Sequence, residues 1–104
     1  MKVRVLKLVH GDLHKAQRWY ERQQRGLAAE VEREFFAALH ELEKIGPALS
    51  ENVLGYRHVW LERFPLTLYF RIHQDVAIVT VMRHGSRDPK SLDTILRRRS
   101  EKIL

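Results

Sequence analysis

At 104 residues, with 44% hydrophobic and 31% charged residues, the chain has room for one domain and one core, and not for two. A net charge of +6 with no cysteine excludes disulfides and thiolate metal sites. No apolar run reaches the roughly 18 residues of a membrane span. Met1-Lys2-Val3-Arg4-Val5-Leu6-Lys7 alternates charge and aliphatic side chain where a signal peptide has an apolar core, so a cytoplasmic location with no membrane contact is expected.

Val3, Val5, Leu8 and Val9 between charged residues read as a first strand over about 2–9, ended by Gly11-Asp12. Asp12 then serves as N-cap of a helix over about 13–25, with Leu13, Ala16, Trp19 and Tyr20 on one face. Gly26 suits the left-handed residue that closes it. A second helix opens at Leu27. Val31, Phe35, Ala38, Leu39, Leu42 and Ile45 recur at three- and four-residue spacing, Glu and Lys fill the other side, and Gly46-Pro47 stops it. With Gly26 the punctuation between them, the two helices form an antiparallel hairpin.

After a loop over 46–55, three strands are expected: Tyr56 to Glu62, Leu66 to Ile72 and Val76 to Arg83. In the middle one Leu66, Leu68, Phe70 and Ile72 share one face, and Thr67, Tyr69 and Arg71 the other. The first face packs on the helices; the second, polar and aromatic, looks outward. Val76 to Val81 is apolar on both faces apart from Thr80, so it is the most buried strand. Asp88-Pro89 starts a last short helix carrying Leu92, Ile95, Leu96, Arg99 and Ile103. The fold class is α+β: an N-terminal strand, an antiparallel helical hairpin packed on a mainly antiparallel sheet in the order β-α-α-β-β-β, and a short C-terminal helix.

Charge is segregated. Residues 1–52 hold nine Lys/Arg against eight Asp/Glu, whereas residues 53–104 hold ten against five. The basic half attracts nucleic acid or an acidic protein. In that half His84, Arg87 and Asp88 lie together where the last strand ends. His84 has the chemistry of a general acid or base and Arg87 that of a phosphate clamp. The plain alternative is that Asp88 caps the helix or pairs with Arg87. Tyr69 and Arg71, joined by Arg57 and Arg83 from the flanking strands, could stack bases and meet phosphates on an open sheet face; ordinary cross-strand packing is the alternative. Arg97-Arg98-Arg99 reads as a solvated helix end. His58 and His73 read as exposed strand-end residues. His10 and His14 have chelating spacing, but the Gly11-Asp12 boundary between them separates their faces, so no metal and no cofactor is expected. Trp19 and Tyr20 read as a hydrophobic anchor between hairpin and sheet.

In chain order, Asp12-Leu13, Ala16, Trp19-Tyr20-Glu21 and Gly26-Leu27, then Arg57, Arg63-Phe64-Pro65, Tyr69-Phe70-Arg71 and His84-Gly85-Ser86-Arg87-Asp88-Pro89, resemble small toxins of the RelE/ParE superfamily. The resemblance covers nearly the whole chain. It implies a helical hairpin packed on an antiparallel sheet and a type II toxin-antitoxin, or plasmid stabilisation, system. It implies two alternatives for activity. RelE-like members cleave mRNA in the ribosomal A site; here His84, Arg87, Arg57 and Arg71 would carry the cleavage. ParE-like members poison DNA gyrase without nuclease chemistry. This chain has Phe64-Pro65-Leu66 where a RelE-like enzyme tends to carry a catalytic Arg, Leu92 near the place of an expected Tyr, and no Tyr after Tyr69. The ParE-like branch is the closer resemblance. It implies target contact through Arg57, Tyr69, Arg71, Arg83, His84 and Arg87, and a ParD-like antitoxin in a hetero-oligomer, contacting Leu92, Ile95 and Leu96.

Overall fold

The structure, a computed structural model, describes residues 1–51, 54–85 and 89–103. The chain runs β1 (Lys2–Val5), α1 (Lys7–Gln23), α2 (Leu27–Ile45), a 3-10 turn (Gly46–Ala48), β2 (Arg57–Trp60), β3 (Leu66–His73), β4 (Val76–His84) and α3 (Pro89–Ser100). The α+β class and the order of elements are those read from the sequence.

The first boundary differs. The strand stops at Val5, and α1 begins at Lys7 rather than after Asp12. Leu6, Val9, Leu13, Ala16 and Tyr20 alternate three- and four-residue steps, and all of them meet the core. That period outweighs the local turn signal of Gly11-Asp12, which lies inside α1. Leu8, expected in a strand, is 46% exposed on the helix's outer side. Gly26 adopts φ of 96°, as the hairpin requires. Glu21, near the end of α1, reaches over it. Its Oε1 accepts from the Ala28 N–H at 2.9 Å and its Oε2 from the Gly26 N–H at 3.0 Å. These hydrogen bonds hold the Glu21 carboxyl below its usual value and cap α2 from the preceding helix.

The sheet order is β1-β4-β3-β2. β1 lies parallel to β4, while β4, β3 and β2 pair antiparallel. β2 is shorter than the expected 56–62. The α1–α2 hairpin and the inner sheet face enclose a core that includes Val9, Leu13, Val31, Phe35, Leu42, Leu68, Phe70 and Val79. β4 is buried at every position from Ala77 to Arg83, the most enclosed strand, as its two-sided apolar pattern required.

β4 carries one extra residue. Tyr69 pairs with Val81 and Phe70 with Val79, leaving Thr80 as a bulge. Because of it, Val79 faces the main core while Val81 joins a second cluster with Tyr56, Leu92 and Leu96 on the outer face. That second cluster anchors the expected short C-terminal helix, α3, to the sheet. The helix forms a third layer over the outward face, with Leu92 at 8% and Leu96 at 0% exposure. Each such leucine contributes roughly 1.5–3 kcal/mol.

Candidate interaction face

The register decides which side chains share a face, since partners across an antiparallel pair point the same way. On the outer face β3 presents Thr67, Tyr69 and Arg71. Arg83 of β4 joins them opposite Thr67, and its Nη2 donates to Ser91 Oγ at 3.0 Å, tying the strand to α3. Arg57 does not join them. It pairs with Phe70, a core residue, so it lies on the helix side of the sheet. Its Nε donates to the Leu49 carbonyl at 2.6 Å, and its guanidinium lies 3.5 Å from Glu51. The places opposite Tyr69 and Thr67 are taken by His58 and Trp60. Ring centroids lie 5.5 Å apart for His58 and Trp60 and 5.7 Å apart for His58 and Tyr69, so an aromatic row crosses β2 and β3. His58 is thus half-buried in mid-strand and not an exposed end residue. The sequence held the signal for this row: apolar Val59 must face the core, which turns His58 and Trp60 outward and Arg57 inward.

Trp60 is 69% exposed and borders an open groove of about 500 Å³, also lined by Phe64, Pro65, Leu66, Thr67 and Gly85. The Arg63-Phe64-Pro65 turn beside it is pinned to α2. Arg63 Nε lies 2.9 Å from Glu34 Oε2, its guanidinium lies 3.0 Å from Glu30, and its N–H donates to Glu34 at 2.9 Å. Desolvation pulls the Glu34 carboxyl upward, but the hydrogen bonds from the Arg63 backbone and side chain outweigh it and hold the group below its usual value. The Arg63 guanidinium is raised in turn, first by its hydrogen bond to Glu34.

His84 pairs with Leu66 on the helix-side face at one end of β4, half-buried. Arg71 pairs with Ile78 on the other face. The two pairs lie five residue steps apart along β3, or about 17 Å at ~3.4 Å per residue. Arg87 and Asp88, with Ser86, lie outside the described residues, as does the expected Asp88 cap. Of the residues expected on one surface, the structure therefore groups Tyr69, Arg71 and Arg83, and separates Arg57 and His84 from them. Leu92 and Leu96 face the sheet beneath α3, with Ile95 half-buried beside them.

The register also assembles a basic row that the sequence reading did not gather. Lys2 pairs with Val76, which pairs with His73; Arg4 pairs with Ile78, which pairs with Arg71. Lys2, Arg4, Arg71 and His73 are all exposed on the outer face.

At the edge of β4 beyond β1, Asp12 and Arg99 meet from opposite layers. Arg99 Nη1 lies 2.6 Å from Asp12 Oδ2 and Nη2 lies 3.0 Å from Oδ1. Asp12 Oδ2 also accepts from the Met82 N–H at 3.0 Å, and Arg99 Nη1 donates to the Thr80 carbonyl at 3.0 Å. The pair supplies the donor and acceptor that a neighbouring strand would give. Asp12 is thus a strand-edge clasp and not an N-cap. Nothing local marks that role, because its partner is 87 residues away.

His10 and His14 both fall within α1, one turn apart and exposed, so they share a helix face after all. No group of three or more His, Cys, Asp or Glu that could hold a metal ion occurs among the described residues. Tyr20 is the anchor expected of the aromatic pair, edge-on to Phe64 at 4.8 Å, whereas Trp19 stays 51% exposed. No helix among the described residues is long and apolar enough to cross a membrane.

No protein-family model matches the chain. No curated protein matches it significantly.

Proposed function

We propose that the chain is the toxin of a type II toxin-antitoxin system and acts, as ParE-like toxins do, by binding and inhibiting DNA gyrase in the cytoplasm. A cognate ParD-like antitoxin neutralises it within a hetero-oligomer. The element order that the resemblance implies agrees with the β-α-α-β-β-β-α order of the chain. One observation carries the choice of branch. The residues that a ribosome-dependent nuclease would need are dispersed: Arg57 lies on the opposite face from Arg71, and His84 lies about 17 Å along the sheet from Arg71. General acid–base chemistry needs its groups within hydrogen-bond reach of one reacting centre. A binding surface has no such requirement, and Trp60, His58 and Tyr69 beside the exposed Arg71 offer the aromatic and Arg side chains that anchor protein interfaces.

The test is gyrase supercoiling with purified protein. Loss of supercoiling with accumulation of cleaved DNA is expected, reversed by antitoxin. Intact supercoiling, together with mRNA cut at codons in a translating extract, overturns the reading in favour of the RelE-like nuclease.

A further inference from the structure

β1 is an edge strand, with β4 on one side and, among the described residues, no strand on the other. The Leu6 N–H donates to the Val79 carbonyl at 3.0 Å. Backbone groups along a strand turn alternately to either side, so those of Lys2 and Arg4 turn toward β4 and those of Val3 and Val5 turn to the open edge. The side chains alternate too. Lys2 and Arg4 are exposed on the outer face, while Val3 and Val5 are half-buried against the helical core. The two cations continue across β4 into Arg71 and His73, two strand spacings or roughly 10 Å away.

We propose that the open edge of β1 is a docking site for an extended segment of an acidic partner protein. The segment adds as a fifth strand, with carboxylates over Lys2 and Arg4 and aliphatic side chains beside Val3 and Val5. Charge selects this occupant. A second copy of β1 is disfavoured, because antiparallel pairing sets Lys2 and Arg4 against the same cations. A nucleic-acid strand satisfies the cations but offers nothing to the half-buried valines. The proposal stands on β1 and does not rest on the toxin reading: supercoiling reports on that reading, and the titration below reports on this one.

The experiment titrates the full chain with three probes: a short synthetic peptide alternating glutamate and valine, its lysine–valine counterpart, and an oligothymidylate. Amide exchange is followed by NMR. The acidic peptide is expected to bind and to slow exchange at Val3 and Val5 by tenfold or more. The double substitution Lys2→Glu, Arg4→Glu, at two exposed positions, is expected to weaken it by tenfold or more and to transfer binding to the lysine–valine peptide. Exchange at Val3 and Val5 unchanged by saturating acidic peptide overturns the proposal. So does equal binding of the two peptides, or binding of oligothymidylate without the acidic peptide, which would make the basic row a nucleic-acid site.

Discussion

Replacing Asp12 with Ala removes more than an ion pair. Asp12 and Arg99 are 17% and 16% exposed, and the bidentate contact runs at 2.6 Å and 3.0 Å. Breaking a buried pair by removing one partner costs roughly 3–5 kcal/mol, because the other charge stays behind. Residual exposure lets water reach Arg99 and lowers that figure. Arg99 also keeps its bond to the Thr80 carbonyl. Against this, the Met82 N–H loses a charged acceptor, at about 1.5–3 kcal/mol. The expected net loss is about 3 kcal/mol for Asp12→Ala. Asp12→Asn can still accept from Met82 and should lose about half as much. Urea unfolding at neutral pH measures both: the midpoint should fall with the slope unchanged. A cycle with Arg99→Ala should return a coupling of about 1 kcal/mol or more. The reasoning is refuted if Asp12→Ala unfolds within about 0.5 kcal/mol of the parent, or if the two substitutions are additive.

The remaining expectations are simpler. Glu34 has a folded-state pKa below its usual 4.5, so its contribution is complete above that value and is lost as pH falls through the folded pKa. Glu34→Gln should therefore lower stability at pH 7 and flatten the acid limb below about pH 4.5 in an unfolding series. Gly11 lies inside α1 with open space around its missing Cβ, so Gly11→Ala should stabilise by about 0.5–1 kcal/mol in thermal melts. Gly26→Ala, at φ of 96°, should destabilise by about 1 kcal/mol or more. Leu96→Ala should cost about 2–5 kcal/mol, because Leu96 is fully buried against Tyr56 and Val81; a loss under about 1 kcal/mol would mean that α3 is not part of the folded core.

Much of the fold was legible where period and punctuation agreed. α2 announces itself through Val31, Phe35, Ala38 and Leu42, and the β3–β4 hairpin through Leu66, Leu68 and Phe70 against a run that is apolar apart from Thr80. The start of α1 was misread because Val3, Val5, Leu8 and Val9 suit a strand locally. Only the pairing of β1 with β4 decides where it ends. The interaction face was half legible. Tyr69 and Arg71 follow from alternation within one strand, whereas excluding Arg57 and adding His58 and Trp60 needs the register of β2 on β3. The basic row needs one register more, since Lys2 and Arg71 come together through β4. The Asp12–Arg99 clasp joins distant segments and leaves no local trace.

The bulge at Thr80 has a consequence for how this chain can change. Val79 and Val81 are two apart, which in a regular strand puts them on one side, yet here they feed different cores. Thr80 is therefore the extra residue that the bulge absorbs between the two halves of β4. Deleting it alone would make Val79 and Val81 neighbours in a regular ladder, with Val81 and Arg83 outward and Val79 and Met82 inward as they are now. Substitution at Thr80 is a question of volume, whereas a deletion at a regularly paired position of β4 is a question of which face each side chain takes. Insertions and deletions in this chain should thus be more tolerable at the β3–β4 turn, where Gln74 and Asp75 are exposed, and at the bulge than at the paired positions of β4.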